Sequence, residues 1–236
     1  KMSKKHNFFL NVFIGYDPNE SVAYHTCVQS LIDNSTIPLR IVPLKLGHFK
    51  NFYKRKKRKI DSTEFSISRF LTPYLSGFQD YSLYMDCDII INADVLSLLK
   101  IIKKDKKSTS LWCVKHNYKP SNEKKFLNND QYIYNKKNWS SFMIFNNKKC
   151  KKLTPDFVEK ANGLYLHQFK WLKEKDIKEI PKQWNILVGE QKIPKKICGI
   201  HYTLGGPYFK KYKNCEKANI WRKSFSKAIF PLKLKY

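Results

Sequence analysis

Glycine, methionine and negative charge are scarce in this chain. Eight Gly and three Met among 236 residues exclude collagen-like and glycine-rich low-complexity classes. No stretch approaches the roughly 18 uncharged apolar residues that a membrane-spanning helix requires, so we expect no transmembrane segment. The basic start, Lys1 to Asn7, is not followed by a long apolar run, and we expect no signal peptide. The six cysteines form no C-x-x-C pair and none shares a zinc-knuckle spacing with histidine, which speaks for reduced thiols and a cytoplasmic setting rather than a zinc ribbon or disulfide scaffold. No internal repeat is present.

Acidic residues number 19 against 46 Lys and Arg, a net charge of +27. Such a chain attracts anions: nucleic acid, an anionic membrane surface or phosphorylated substrates. The lysines are spread along the whole length, so composition does not choose among these partners. Aromatic residues make up 15% and hydrophobic residues 42%, too many for a disordered chain. A chain of this length buries most of its surface without staples.

Apolar runs alternate with helical patterns. Phe8 to Gly15 reads as a buried strand. Asp17-Pro18-Asn19-Glu20 then carries a helix start: Asp as N-cap, Pro at the first helical position and Glu at the third. The helix would place Tyr24, Cys27, Val28, Leu31 and Ile32 on one face and end at Asn34-Ser35. Leu39 to Leu44 is a second strand, so the chain opens as β-α-β, which implies a parallel sheet with helices on its faces. Asn51 to Lys59 is a charge run read as a solvated loop, with a nucleic-acid or targeting patch as the alternative. A helix through Ile67, Phe70, Leu71, Tyr74 and Leu75 closes at Gly77. Strands follow at Tyr81–Met85, Ile89–Ile91, Leu111–Lys115, Phe142–Phe145 and Ile197–Tyr202, with helices opening at Thr154-Pro155 and over Gln168–Lys173.

Asp86 and Asp88 interrupt an otherwise apolar run. On a strand, positions i and i+2 share a face, and two carboxylates there repel each other and resist burial. A hard divalent cation, Mn2+ or Mg2+, removes that cost. The alternative is a pair of turn caps. D-x-D after an apolar strand also opens aspartate-nucleophile phosphatases, but those need Thr or Val where Ile90 stands, and here a β-α-β unit comes first.

In that order the chain resembles GT-A fold glycosyltransferases, specifically the family 8-like group that includes glycogenin and bacterial lipopolysaccharide galactosyltransferases. The matching segments are Val12 to Asp17, Ser68 to Leu75, Tyr84-Met85-Asp86-Cys87-Asp88, His201 to Pro207 and, more loosely, Trp139 to Asn146. The resemblance implies an α/β fold with a Rossmann-like nucleotide-binding half and a mixed central sheet flanked by helices. It covers residues 1–209 as the catalytic domain and leaves 210–236 as a basic, aromatic, helical tail.

By the same resemblance, Gly15, Tyr16 and Asp17 face the nucleotide base and ribose, and Arg69 lies near the donor phosphates and sugar. Asp86, Asp88 and His201 hold the metal, with Cys87 between the carboxylates. Gly205 and Gly206 let backbone amides approach the diphosphate, and Lys210 or Lys211 adds a cation. Gln168 stands where the family has an acidic D-Q-D segment beside the reacting sugar, but His167 and Phe169 replace both acids. The implied activity is metal-dependent, retaining transfer of a sugar from a UDP-sugar to a glycan or lipid-linked hydroxyl, with no nucleic-acid partner. The rival readings are a basic nucleic-acid-binding protein and a catalytically silent module of the same fold. Trp221, Phe225 and Ile229 recur every four residues among lysines, a pattern suited either to a helix packed on the catalytic domain with its lysines solvated or to peripheral contact with the inner face of an anionic membrane, and Pro231 would end that helix.

Overall fold

The computed structural model describes residues 9–58, 61–103, 108–121, 123–130 and 132–230. The basic start, Phe8, Lys59, the Pro231 helix stop and the last lysines lie outside the described residues.

The elements run β1 (Leu10–Tyr16), α1 (Ser21–Asp33), β2 (Leu39–Lys45), α2 (Phe65–Ser68), α3 (Thr72–Leu75), β3 (Tyr81–Met85), β4 (Ile89–Ile91), α4 (Leu96–Ile102), β5 (Leu111–Cys113), β6 (Phe142–Asn146), α5 (Pro155–Lys160), α6 (Gly163–His167), β7 (Ile177–Glu179), β8 (Ile186–Leu187), β9 (Gly199–His201) and α7 (Ala218–Ile229). A mixed six-stranded sheet has the order β2-β1-β3-β6-β5-β7, and β4-β9-β8 form a smaller sheet. β1 pairs in parallel with β2 and β3, while β6 runs antiparallel between β3 and β5. This is the mixed α/β sheet flanked by helices of a GT-A fold.

The chain start follows its local chemistry. Asp17 Oδ1 accepts from the backbone N–H of Asn19 at 2.9 Å, and Pro18 to Glu20 form a short 3-10 turn before α1. Tyr24, Cys27 and Leu31 are buried as their spacing predicts, but Ile32 is 58% exposed because the helix turns that position outward. The helix expected from Ile67 to Gly77 is broken into α2, a 3-10 turn over Arg69–Leu71 and α3. Pro73 has no N–H to give the carbonyl of Arg69, and the Thr72 hydroxyl donates to it instead at 2.9 Å. Thr154 caps α5 as expected, its Oγ1 accepting from Phe157 N–H at 3.3 Å. The helix expected over Gln168–Lys173 is displaced: α6 ends at His167, Gln168 is its C-cap, and Phe169 has φ +54°. The helix α4 was not anticipated from the sequence.

β3 leaves the main sheet through the turn Asp86-Cys87-Asp88, and β4 then pairs with β9 in the smaller sheet. The two carboxylates therefore sit in a turn joining two sheets rather than on one pleated face. The smaller sheet packs Ile90, Val188, Ile200 and Tyr202 against Trp221 of α7. α7 lies along α1, and Lys227 Nζ donates to Asp33 Oδ2 at 2.8 Å. Trp221 is 4% exposed and stacks on Phe225 with ring centroids 4.9 Å apart, so much of the face suited to a membrane is turned toward the protein, while Ile229 is half exposed. No helix among the described residues is long and apolar enough to cross a membrane.

Candidate active site

Asp86 leaves the end of β3 held from two sides. Its Oδ1 accepts from Tyr84 OH at 2.6 Å and pairs with Arg69 Nη1 at 2.9 Å. Arg69 is buried: its Nη1 also donates to Ser140 O at 2.9 Å and its Nε to Ser66 O at 3.0 Å. The register of the smaller sheet sets Ile89 opposite His201, so pairing two short strands brings a histidine from the far end of the chain beside Asp88. Ligand atoms of Asp86, Asp88 and His201 all lie within 4.8 Å of one another.

A chain of hydrogen bonds orients the imidazole. Ser141 Oγ donates to Asn138 O at 2.7 Å, so it accepts from Asn185 Nδ2 at 2.8 Å. Asn185 must then turn its Oδ1 to His201 Nδ1, 3.1 Å away, and Nδ1 carries a proton. Nε2 is left pointing at Asp88 Oδ1 at 3.2 Å. That carboxylate oxygen is buried and accepts no hydrogen bond. A buried carboxylate oxygen facing a ring nitrogen whose opposite side is fixed by an amide is the arrangement that metal-ligating histidines use. The residues therefore fit a hard divalent cation.

Burial raises the Asp86 carboxyl above its ordinary range, with the Asp88 charge adding and Arg69 opposing. Burial also acts to raise Asp88, but His201, the charge of Lys125 and a backbone hydrogen bond together hold that carboxyl below the ordinary range. A like-charged pair splits in this way.

Above this cluster opens a cavity of about 480 Å³, within the range of small-ligand pockets. Arg69, Asp86, Asp88 and His201 line it, as the sequence anticipates. Gly15, Tyr16, Asp17, Cys87, Gly205, Gly206, Lys210 and Gln168 are not among its lining residues. The Phe65 ring lies against Gly15, and Tyr16 meets Tyr24 edge-on at 5.3 Å. The second oxygen of Asp17 accepts from Glu64 N–H at 3.0 Å, so both oxygens are spent on backbone caps. Cys87 is fully buried, and Lys210 is exposed.

Other residues reach the cavity that pattern reading did not select. His167, one position before Gln168, lines it, with Nδ1 2.8 Å from Ser140 Oγ. Burial, then the charge of Arg69, pushes this imidazole well below its ordinary value, so it is neutral. Glu20 is 2% exposed and accepts from Tyr208 OH at 2.6 Å. Burial, then the charge of Asp88, raises its carboxyl to about 8. Glu20 was legible only as a helix-start acid, and Lys125 lies in a segment with no motif.

No family model matches the chain. Among solved structures it superimposes on the bifunctional glycosyltransferase WbbM with a TM-score of 0.63 and 13% identity, covering 96% of this chain and 51% of that one. For the glycosyltransferase GlyE of Streptococcus pneumoniae TIGR4 the TM-score is 0.63 and the identity 14%, over 95% of this chain and 61% of that one. For the galactosyltransferase LgtC, solved with donor and acceptor sugar analogues, the TM-score is 0.55 and the identity 10%, over 95% and 98%. The chain thus spans about half the length of WbbM and about 61% of GlyE. Identities this low establish the shared fold. Sequence similarity carries further in one case: the Arabidopsis thaliana protein CDI is 39% identical over 219 residues, 89% of this chain and 83% of CDI. At that identity and coverage, the chain belongs to the family of the Arabidopsis protein CDI.

Proposed function

We propose that this protein is a metal-dependent glycosyltransferase that moves a sugar from a nucleotide donor, a UDP-sugar, to a hydroxyl of a glycan or lipid-linked acceptor. The observation that carries the reading is the convergence of Asp86, Asp88 and His201, with an unpartnered buried carboxylate oxygen, under a cavity of the GT-A fold. Family 8-like grouping and retention of configuration belong to the proposal through the sequence motifs.

Asp86, Asp88 and His201 would hold Mn2+ or Mg2+. When bound, that ion supplies Lewis-acid stabilisation of the charge that develops on the leaving diphosphate. The remaining work falls to this chain. Arg69 fixes Asp86 in place, its Nη1 donating both to Asp86 Oδ1 and to the Ser140 carbonyl. Asn185 fixes the ring of His201. His167, neutral and lining the cavity, offers a hydrogen bond to a sugar hydroxyl rather than a charge. In the transfer the anomeric C–O bond breaks with its electron pair going to the diphosphate, the acceptor oxygen bonds the anomeric carbon, and the acceptor proton passes to a phosphate oxygen. The cavity walls hold the two reactants together, which removes the entropy of encounter from the barrier.

The test is a screen of nucleotide sugars for release of nucleoside diphosphate with Mn2+ present. A UDP-sugar is expected to be hydrolysed or transferred, and EDTA to stop it. Metal and nucleotide binding without turnover on any donor would favour a catalytically silent module. Turnover undiminished by EDTA would overturn the metal assignment.

A further inference from the structure

Four cations line the cavity among the described residues: Arg58, Arg69, Lys125 and Lys137. Three of them have a protein partner, although the carbonyl that Lys137 meets is uncharged and the Arg58 pair is long and half exposed. Arg69 pairs with Asp86, Arg58 Nε lies 3.7 Å from Asp61 Oδ2, and Lys137 Nζ donates to Tyr132 O at 2.7 Å. Lys125 is half-buried, and its ammonium group is in no ion pair or hydrogen bond among the described residues. Burial pulls its pKa down, while the charges of Asp88, Glu20 and Asp86 hold it up. A half-buried ammonium group without a hydrogen-bonding partner is costly, so its place in a cavity points to an anion that completes it.

The segment around Lys125 is built to keep it there. Lys125 N–H donates to Asn129 O at 3.0 Å, and Phe126 N–H donates to Leu204 O at 2.8 Å. The Phe126 ring stacks on Phe209 with centroids 5.4 Å apart. It sits against Gly205, one of the two glycines whose amides the family resemblance assigns to the diphosphate. Gly205 has φ +137°, its N–H donates to Tyr202 O at 2.8 Å, and a Cβ there would lie 3.1 Å from Phe126 Cβ and collide with the Tyr212 ring. A Cβ on Gly206 would collide with the Tyr208 ring. The two glycines make room for aromatic side chains, and one of those side chains carries Lys125 with it. Lys210, on the same loop, is exposed and does not line the cavity.

We propose that Lys125, presented by Phe126 docked on Gly205, is the side chain that neutralises the diphosphate of the bound nucleotide, in the place expected for Lys210. This rests on the glycosyltransferase reading. With a divalent cation offsetting the two aspartates and Arg69 paired with Asp86, Lys125, whose ammonium group has no hydrogen-bonding partner among the described residues, is the cavity cation most available to the phosphate oxygens. A point-charge ammonium suits that task.

The experiment measures uridine diphosphate by calorimetry and uridine by ligand-observed NMR, both with Mn2+, on the wild type, Lys125→Ala, Lys125→Arg and Lys210→Ala. Melting temperatures of all four verify folding. Lys125→Ala is expected to weaken uridine diphosphate about tenfold or more while leaving uridine unchanged, as loss of one charge-assisted contact implies. Lys125→Arg restores part of the affinity, and Lys210→Ala stays within about twofold of the wild type. The assignment is overturned if Lys125→Ala binds uridine diphosphate like the wild type, if it weakens uridine equally, or if Lys210→Ala carries the loss. If the wild type binds neither ligand, the glycosyltransferase reading itself falls and takes this inference with it.

Discussion

Replacing Asp88 by Asn tests the metal assignment on the folded protein without an acceptor or a donor sugar. The substitution keeps the shape of the side chain and removes one carboxylate from a cavity that also holds Asp86 and Glu20. The new Nδ2 can donate toward His201 Nε2, which lies 3.2 Å from Asp88 Oδ1. Asp88 is buried, so the metal-free variant has its own melting temperature, and that value in EDTA is the baseline for each protein. Metal stabilisation is a linkage effect: at an ion concentration a hundredfold above Kd the wild type gains about 2.7 kcal/mol. For a chain of this size that is a rise of about 5–10 °C. Perturbing even an outer partner of a metal ligand costs 10- to 100-fold in affinity, so losing one of three protein ligands costs at least that. At the same Mn2+ concentration a hundredfold weaker site gains only about 0.4 kcal/mol, a rise of about 1–2 °C. Thermal melts of both proteins across a Mn2+ titration, with EDTA as baseline, read the difference directly. A variant that shifts as far as the wild type would refute the assignment, as would a wild type that does not shift at all.

Three further outcomes follow from the same geometry. Asn185→Leu removes the acceptor on His201 Nδ1 and should weaken Mn2+ binding about 10- to 100-fold, measured by calorimetry; unchanged affinity would detach the Ser141–Asn185–His201 chain from the metal. Glu20, raised from 4.5 to about 8 mainly by burial, stays protonated in the folded protein where the unfolded chain has ionised, so the folded state binds more protons and stability falls as pH rises across that window. Glu20→Gln should flatten that fall in metal-free denaturant titrations between about pH 5 and 8, and a difference curve that is flat or rises with pH would refute it. Trp221→Ala should cost about 3–5 kcal/mol because the ring is buried against the smaller sheet, whereas Ile229→Ala, half exposed, should cost less than about 0.5 kcal/mol; a cost below about 1 kcal/mol at Trp221 would show that α7 is not part of the core.

Local chemistry determined much of this protein without help from the rest of the chain. The apolar β1, the Asp17-Pro18 start before α1, the Thr154-Pro155 cap and the apolar lead into Asp86 are short-range features, in which a residue's neighbours decide its backbone. That is why the β-α-β opening and the apolar strand leading into Asp86 were legible, whereas the mixed sheet was implied by the family resemblance and the turn that carries Asp86 and Asp88 was read as one strand face. The site depended on contacts that sequence spacing does not encode. His201 reaches Asp88 only because β4 changes sheets and pairs with β9, and its ring is aimed by Asn185, a residue with no motif. Lys125 and Glu20 enter the cavity because Phe126 stacks on Phe209 and Tyr208 lies over Gly206 and bonds Glu20, while Asp17 is drawn away from it by the amide of Glu64. Gly205 and Gly206 show the division most plainly: their scarcity in this chain marks them as special, but whether a diphosphate or an aromatic ring fills the space left by a missing Cβ depends on what the rest of the chain packs there, and here that is Phe126, Tyr208 and Tyr212.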